Sequence, residues 1–168
     1  MSELKIGAEP RIFSHRNNAD LPKSTLDDLT ERGIGVGDWG MGLSWDYAQV
    51  KEDNQAAAKT FTENLLTINE HGGYGVIHTK EYEKTVIGRI SPPCVRFMTL
   101  EGTSGTERMF KAFEFEEFAS VNLRKDYPEL HDRLANIAHL GTTSEVGDGF
   151  EELVTDAFVD LESSGVIR

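Results

Sequence analysis

The sequence predicts an α+β domain, and three features of its pattern support this fold class. Short stretches of alternating apolar residues, which are typical of strands, recur between residues 11 and 115. Two longer stretches carry apolar residues three and four positions apart, as amphipathic helices do. A glycine- and tryptophan-rich segment, 34–45, precedes the first of these helices. The chain has 168 residues and no evident linker or repeat, so we expect one domain over 1–168.

The N-terminal elements follow from local signals. Residues 11–15 read as a strand, and 24–32 as a short helix with Ser24 as its N-cap and Gly33 as its C-terminal stop. A strand then runs from 34 to 39. Gly35, Gly37 and Gly40 have the spacing of a dinucleotide-binding fingerprint, but no helix begins among them. We therefore interpret these glycines as a tight connection from strand to loop.

The later elements are predicted from the same periodicities. Helices are expected at 52–69, from Tyr127 to near Gly141, with Asp126 and Glu129 as a capping box, and at 149–164. Strands are expected at 74–79, 85–90, 95–100, 108–115 and 142–146. Alternation assigns the faces of the strand at 108–115, with Met109, Lys111, Phe113 and Phe115 on one side and Phe110 and Ala112 on the other. The amphipathic C-terminal helix lies outside a core of about 10–146.

Composition limits the class of partner. The formal net charge is -12 and no apolar run approaches the ~20 residues of a membrane helix, so we expect no membrane partner. The N-terminus lacks the pattern of a signal peptide and Cys94 is the single cysteine, which predicts a cytoplasmic protein. Nucleic-acid binding would need a local basic rim, because phosphate neutralisation supplies much of the affinity. Alternatively, the acidity reflects a salt-rich cytoplasm.

No pattern of catalytic or metal-binding residues stands out. The five histidines have neither the helical spacing of a metal pair nor a partner Cys-x-x-Cys motif, so we expect no metal and no cofactor. A nucleophile elbow and a phosphate-binding loop are also missing from the sequence. We therefore predict a protein without catalysis of its own. The alternative is a small enzyme acting on a nucleotide or metabolite, with His78 or His15 as acid and base.

An aromatic set points to a binding site instead. Both tryptophans of the chain lie within seven residues of each other, next to several glycines. One interpretation is that they fill the core, as large aromatic side chains often do. The other is a cage that stacks a planar base while polar groups contact the base edge. The residues predicted to bind the base are Trp39, Gly40, Ser44, Trp45, Tyr47, Tyr74 and His78.

Basic residues near the same strands could contact a nucleic-acid backbone. They are Arg11, His15, Arg16, Lys80, Lys84 and Arg89. Ordinary surface charge is the alternative interpretation of this small set.

The order of these segments resembles the PUA-like superfamily, and within it the EVE-type branch that includes modified-base reader modules of modification-dependent restriction endonucleases. The similar segments are Arg11-Ile-Phe-Ser-His15, Gly33-Ile-Gly-Val-Gly-Asp-Trp-Gly40, Gly73-Tyr-Gly-Val-Ile-His78, Val86-Ile-Gly-Arg-Ile90, Phe113-Glu-Phe-Glu-Glu-Phe118 and Leu140-Gly-Thr-Thr-Ser144. The resemblance covers about residues 10–146. It implies a bent, mixed or antiparallel β-barrel flanked by helices, with a pocket for a flipped and often modified base.

Two departures from this family pattern are visible. Gly73-Tyr74 stands where the family often has Gly-Asp, and no nuclease or motor segment is present in these 168 residues. The resemblance implies a module that recognises a modified base in DNA or RNA through Trp39, Trp45 and Tyr74, with an effector protein acting in trans. A third hypothesis is a protein-interaction domain that uses its acidic surface and its terminal helix around Phe158.

Overall fold

The computed structural model describes residues 11–37, 64–65, 67–92, 95–136, 143–146 and 150–167. The strands are β1 (Ile12–Arg16), β2 (Ile34–Gly37), β3 (Gly73–His78), β4 (Thr85–Ile90), β5 (Val95–Glu101), β6 (Glu107–Glu114), β7 (Glu117–Val121) and β8 (Thr143–Val146). The helices are α1 (Lys23–Glu31), α2 (helical at 64–65 and 67–71), α3 (Leu123–Asp126), α4 (Pro128–Ala135) and α5 (Phe150–Ser163), with a 3-10 turn at Lys80–Tyr82. The α+β class is confirmed. No helix in these described ranges has the length and apolar character that crossing a membrane requires.

Helix α1 lies where the sequence predicts it, with one difference at its start. Pro22 occupies the N-cap position and no side chain caps the helix, so the prediction for Ser24 was wrong. Proline is suited to this place because it has no amide hydrogen left unpaired and its φ is already close to helical. Gly33 ends the helix with a φ of 73°, as predicted for a glycine in the left-handed region.

The described part of α2 agrees with the predicted helix and continues to His71. Gly72, at a φ of 67°, ends it by donating its amide to the Ile68 carbonyl at 2.8 Å. The chain then enters β3 directly. The earlier part of the predicted helix, and residues 38–50, lie outside the described residues.

The capping box predicted at Asp126 and Glu129 is wrong. Asp126 is the last residue of α3, whose N-cap Asn122 accepts a hydrogen bond from the Lys125 amide at 3.1 Å. Helix α4 begins anew at Pro128, with Tyr127 between the two helices. Proline disfavours helical backbone in the residue before it, which separates α3 from α4.

Five strands form the larger sheet, in the order β7-β4-β3-β1-β8. Strands β1 and β3 are parallel, and the other neighbours are antiparallel. One face packs under α3, α4 and α5, through a cluster that includes Val76, Ile87, Leu130 and Phe158. The opposite face carries Phe13, Ile77 and Val86 and packs against the second sheet. Neighbouring residues of β3 therefore lie on opposite faces of the larger sheet, Val76 on the helix-covered face and Ile77 on the other.

The smaller sheet has three antiparallel strands in the order β2-β6-β5. Its outer face packs against α1 through Ile34, Val36, Phe110 and Ala112. Its inner face, which carries Phe113, meets the larger sheet. An antiparallel β2 does not fit a dinucleotide-binding unit, which needs a parallel strand, in agreement with the interpretation of its glycines as structural.

The two sheets are joined along one side by a continuous chain. Where β6 passes into β7, the Phe115 amide donates to the Gly33 carbonyl at 2.8 Å, beside the smaller sheet. The next amide, of Glu116, donates to the Arg89 carbonyl of the larger sheet at 2.8 Å. The chain thus bends from one sheet into the other within two residues.

Along the other side, the described strands remain in two separate sheets and do not close into a barrel, so the predicted bent β-barrel is not confirmed. In the described residues no backbone ladder joins β1 to β2, and the two sheets remain separate. The side chain of Asn17 fills this gap. Its Nδ2 donates to the Ile34 carbonyl at 2.9 Å, and its Oδ1 accepts from the Val36 amide at 2.9 Å. These are the two hydrogen bonds that a neighbouring strand's peptide would make around Gly35.

Further hydrogen bonds hold the Asn17 amide in place. Nδ2 also donates to the Thr30 hydroxyl at 2.8 Å, and that hydroxyl donates to the Leu26 carbonyl at 2.8 Å. The Asn17 backbone amide extends the parallel ladder by donating to the His78 carbonyl at 2.8 Å. Asn17 is 2% exposed and Thr30 is fully buried. A single buried side chain therefore links β1, β2 and α1.

Replacing Asn17 by alanine should destabilise the fold strongly. The Val36 amide and Ile34 carbonyl would each lose a buried partner, and each such loss costs ~1–3 kcal/mol, so we expect about 3 kcal/mol in total. Urea denaturation of the two proteins measures this difference. Asn18→Ala, at the exposed neighbouring position, is the control and should change stability by less than ~0.5 kcal/mol. Equal midpoints for the Asn17→Ala and Asn18→Ala proteins would contradict the role assigned to Asn17.

Candidate functional site

Most of the predicted aromatic cage belongs to the segment after Gly37. Trp39, Gly40, Ser44, Trp45 and Tyr47 lie outside the described residues. Of the predicted base-binding residues, Tyr74 and His78 are described, and so are all six predicted backbone-contacting residues.

The strand register places these eight residues at both ends of the larger sheet. Tyr74 pairs with Ile12 and with Arg89, so Arg11, Tyr74 and Arg89 lie at one end. His78 pairs with Arg16 at the other end, which Lys80 and Lys84 flank. At ~3.3 Å per residue, the four steps from Tyr74 to His78 separate the two ends by ~13 Å. The described residues therefore form two groups rather than one surface.

At the first end, the side chains are engaged by the protein itself. The Tyr74 ring is half-buried and packs edge-on against Phe158 of α5, with ring centroids 5.2 Å apart. Arg89 forms a short ion pair with Glu117, and its Nη2 also lies 3.4 Å from a Glu116 carboxylate oxygen. The hydrogen bond to Glu117 raises the pKa of Arg89. Two carboxylates thus neutralise the cation that was predicted to contact phosphate.

His15 is enclosed between the two sheets at 1% exposure. Its Nε2 lies 2.9 Å from Asn17 Oδ1 and 3.0 Å from the Val36 carbonyl oxygen. Both oxygens are acceptors, so Nε2 carries the hydrogen. Burial, and then the nearby His78, lower the pKa of His15 to about 3. This geometry favours a structural role for His15 over phosphate contact or acid–base chemistry near neutral pH.

His78 is buried differently, because one of its nitrogen atoms has no partner. Nδ1 donates to the Thr79 carbonyl at 3.1 Å, so the neutral ring presents Nε2 as an acceptor. That Nε2 and the Ser14 hydroxyl are buried atoms without a hydrogen-bond partner among the described residues. The ring stacks on Tyr82 at 4.2 Å, and Tyr82 meets His131 edge-on at 5.2 Å. Burial lowers the pKa of His78 to about 4, with a smaller contribution from Arg16.

A buried lysine marks another candidate location. Lys111 lies on the inner face of the smaller sheet, directly across from Gly37 on one side and Phe97 on the other. It is 5% exposed, whereas Met109, two residues along the same face, is 44% exposed. Burial lowers the pKa of the Lys111 ammonium, which also has contacts of its own within the chain. We call Gly37, Met109 and Lys111 the rim.

Lys111 was not among the site residues predicted from the sequence, although its position in the alternating pattern of β6 is unusual. The lysine shares the apolar side of β6 with Met109, Phe113 and Phe115. A charged residue on the apolar side of an alternating strand is unusual, because burying an ammonium is costly unless it serves a partner or a ligand.

The described residues offer no obvious metal site. No group of three histidine, cysteine, aspartate or glutamate side chains in them could hold a metal ion. Cys94 lies outside the described residues.

Comparison with known proteins gives no relative. No family model matches the chain, and no curated protein and no solved structure is detectably similar to it.

Acid should destabilise the protein through its buried histidines. The pKa of His78 is about 4 in the folded chain against 6.5 for an unperturbed histidine, so the unfolded state binds more protons below pH 6.5. The contribution of His78 to the free energy of unfolding is therefore fully present above pH 6.5 and is smaller by about 3 kcal/mol at pH 4. Urea denaturation from pH 7 to 4 should show a shallower decline for His78→Asn than for the unaltered protein. Parallel declines in the two proteins would contradict this assignment.

Proposed function

We propose that this chain is a non-catalytic module that recognises a modified base in DNA or RNA. The base would be held between aromatic side chains of the segment that begins after Gly37 and polar groups of the rim. The resemblance of the chain order to EVE-type, PUA-like modules motivates this proposal, and the position of Lys111 supports it most strongly.

The rim provides three features that suit a base-binding pocket. Gly37 pairs with Lys111 across the ladder and has no side chain of its own that could cover the lysine. Lys111 is buried while Met109 is exposed, so the inner face changes from packed core to open surface within two residues. Asp38 and Trp39 follow Gly37 directly in the sequence, and Trp45 comes six residues after Trp39. The predicted aromatic cage therefore begins next to the rim.

The chemistry of Lys111 indicates which bases it would select. A lysine ammonium donates hydrogen bonds and accepts none, so it suits a base edge with carbonyl oxygens or an acidic modification. Burial strengthens this selection, because a hydrogen bond from an ammonium in a water-poor environment is stronger than one at the surface. Stacking on an aromatic ring would add ~1–3 kcal/mol per base.

The charge of the chain predicts how binding depends on salt. With a net charge of -12, and with Lys84 and Arg89 already paired to carboxylates, few cations remain for phosphate contacts. The affinity should therefore come mainly from the base and fall only weakly as salt rises. Weak binding to unmodified nucleic acid is expected for the same reason.

Fluorescence titration tests the proposal. The tryptophans are followed while oligonucleotides with unmodified, methylated or hydroxymethylated bases are added across a salt series. We expect selective quenching by one modified base. Trp39→Ala should abolish it, and Lys111→Met should weaken binding at least ~10-fold, which corresponds to the loss of one charge-assisted hydrogen bond.

Two controls separate binding from stability. Lys111→Met keeps an unbranched side chain of nearly the same length, and urea denaturation shows whether the variant is folded under the conditions of the titration. Lys125→Met makes the same change at an exposed position of α3 and should leave binding within ~2-fold. No response to any oligonucleotide at low salt would refute the proposed function.

A further inference from the structure

A cleft at the Arg16 end of the larger sheet is a second candidate site, and it shares no residue with the rim. Its volume is about 550 Å³, which is enough for a nucleotide-sized ligand. Its lining comes from the end of β1, from α1 and from the segment around the 3-10 turn, and it includes three basic residues, Arg16, Lys23 and Lys80, and three acidic ones, Asp27, Glu81 and Glu83. A cleft built from three separate elements is held in place by the fold.

Two cations of this cleft have no acidic partner among the residues that the structure describes. Lys23, at the mouth, bridges Asp27 at 2.7 Å and Glu83 at 2.8 Å. Among the described residues, neither Arg16 nor Lys80 forms an ion pair. This is notable in a chain with 29 acidic and 17 basic residues. Lys23 holds the Asp27 and Glu83 carboxylates. Among the described residues the third carboxylate of the lining, Glu81, pairs with neither Arg16 nor Lys80, so both cations are left for an external anion.

The turn that carries Lys80 is strained but firmly held. Glu81 and Tyr82 both have a positive φ, of 56° and 59°, a conformation that non-glycine residues rarely adopt. Two hydrogen bonds between Thr79 and Lys84 hold the turn. The Thr79 hydroxyl accepts from the Lys84 amide at 2.9 Å, and the Thr79 amide donates to the Lys84 carbonyl at 2.9 Å. Strain that the surroundings maintain is common at ligand sites.

The turn also connects the cleft to the buried His78. Tyr82 stacks on the His78 ring, and the Arg16 charge acts on both rings: it adds to the burial that lowers the pKa of His78 and partly offsets the burial that raises the pKa of Tyr82. His78 is 4% exposed, and its Nε2 has no hydrogen-bond partner within the part of the chain that the structure describes. The His78 ring therefore provides a local probe for any change of charge around Arg16.

We propose that Arg16 and Lys80 bind a phosphate group in this cleft. The arginine fork matches two phosphate oxygens, and the lysine adds a compact second charge. Asn18 and Thr79 supply further polar groups along the lining. The phosphate could belong to a small phosphorylated ligand or to a nucleic-acid backbone, and both present the same oxygens to the cleft. This inference does not depend on base recognition at the rim.

Histidine ring resonances in NMR spectra, recorded at low ionic strength, test the proposal with inorganic phosphate as the probe. We expect the His78 signals to shift on titration, with Arg16→Gln and Lys80→Gln each weakening phosphate binding about 5-fold or more. Lys125→Gln removes an equal charge from an exposed place outside the cleft and should weaken binding by less than ~2-fold. A double variant, Arg16→Gln with Lys80→Gln, should show no shift.

Competition between inorganic phosphate and an unmodified oligonucleotide distinguishes a nucleic-acid backbone from a small phosphorylated ligand. An unmodified oligonucleotide that displaces phosphate would indicate a nucleic-acid backbone, and failure to displace it would indicate a small phosphorylated ligand. Phosphate binding weaker than about 10 mM, or equal weakening by Lys125→Gln and Arg16→Gln, would overturn the proposal. Because inorganic phosphate carries no base, failure of base recognition at the rim would leave this result unchanged.

Discussion

The structure depends on a side-chain amide that takes the place of a strand. Asn17 makes the hydrogen bonds to Ile34 and Val36 that a backbone ladder between β1 and β2 would have made. His15 donates to the same Asn17 oxygen, and Thr30 accepts from the Asn17 nitrogen. Since these groups are almost fully buried, their hydrogen bonds are difficult to replace with water. The two sheets can therefore enclose one core without a continuous barrel.

This arrangement separates the two candidate locations. At the rim, the inner face of the smaller sheet passes from packed Phe113 through buried Lys111 to exposed Met109. The Arg16 cleft is built from a different set of elements, at the end of β1. A nucleic acid that reached both would contact a base at one and a phosphate at the other. The acidic remainder of the surface would disfavour contacts elsewhere, which gives specificity at some cost in affinity.

The sequence predicted the strands and helices well where a pattern was local. The alternation of β3 and β6 and the glycine stop after α1 were all visible in residue spacing. The replacement of a ladder between β1 and β2 by a side chain was not visible in the spacing, because Asn17 contacts residues that lie 17 and 19 positions away. For the same reason His15 seemed available for chemistry, although long-range contacts enclose it. Arg89 seemed available for phosphate, although a strand pairing places Glu117 beside it.

Chemical-shift mapping of the protein with a modified-base oligonucleotide tests the central claim most directly. The account predicts that the amide shifts of the described residues concentrate at Gly37, Met109 and Lys111, the residues of the rim, while those on the α5 face stay unchanged. Shifts concentrated around Phe158 would contradict the account and favour a protein-interaction surface. The absence of any shift at low salt, with every modified base tested, would refute nucleic-acid recognition altogether.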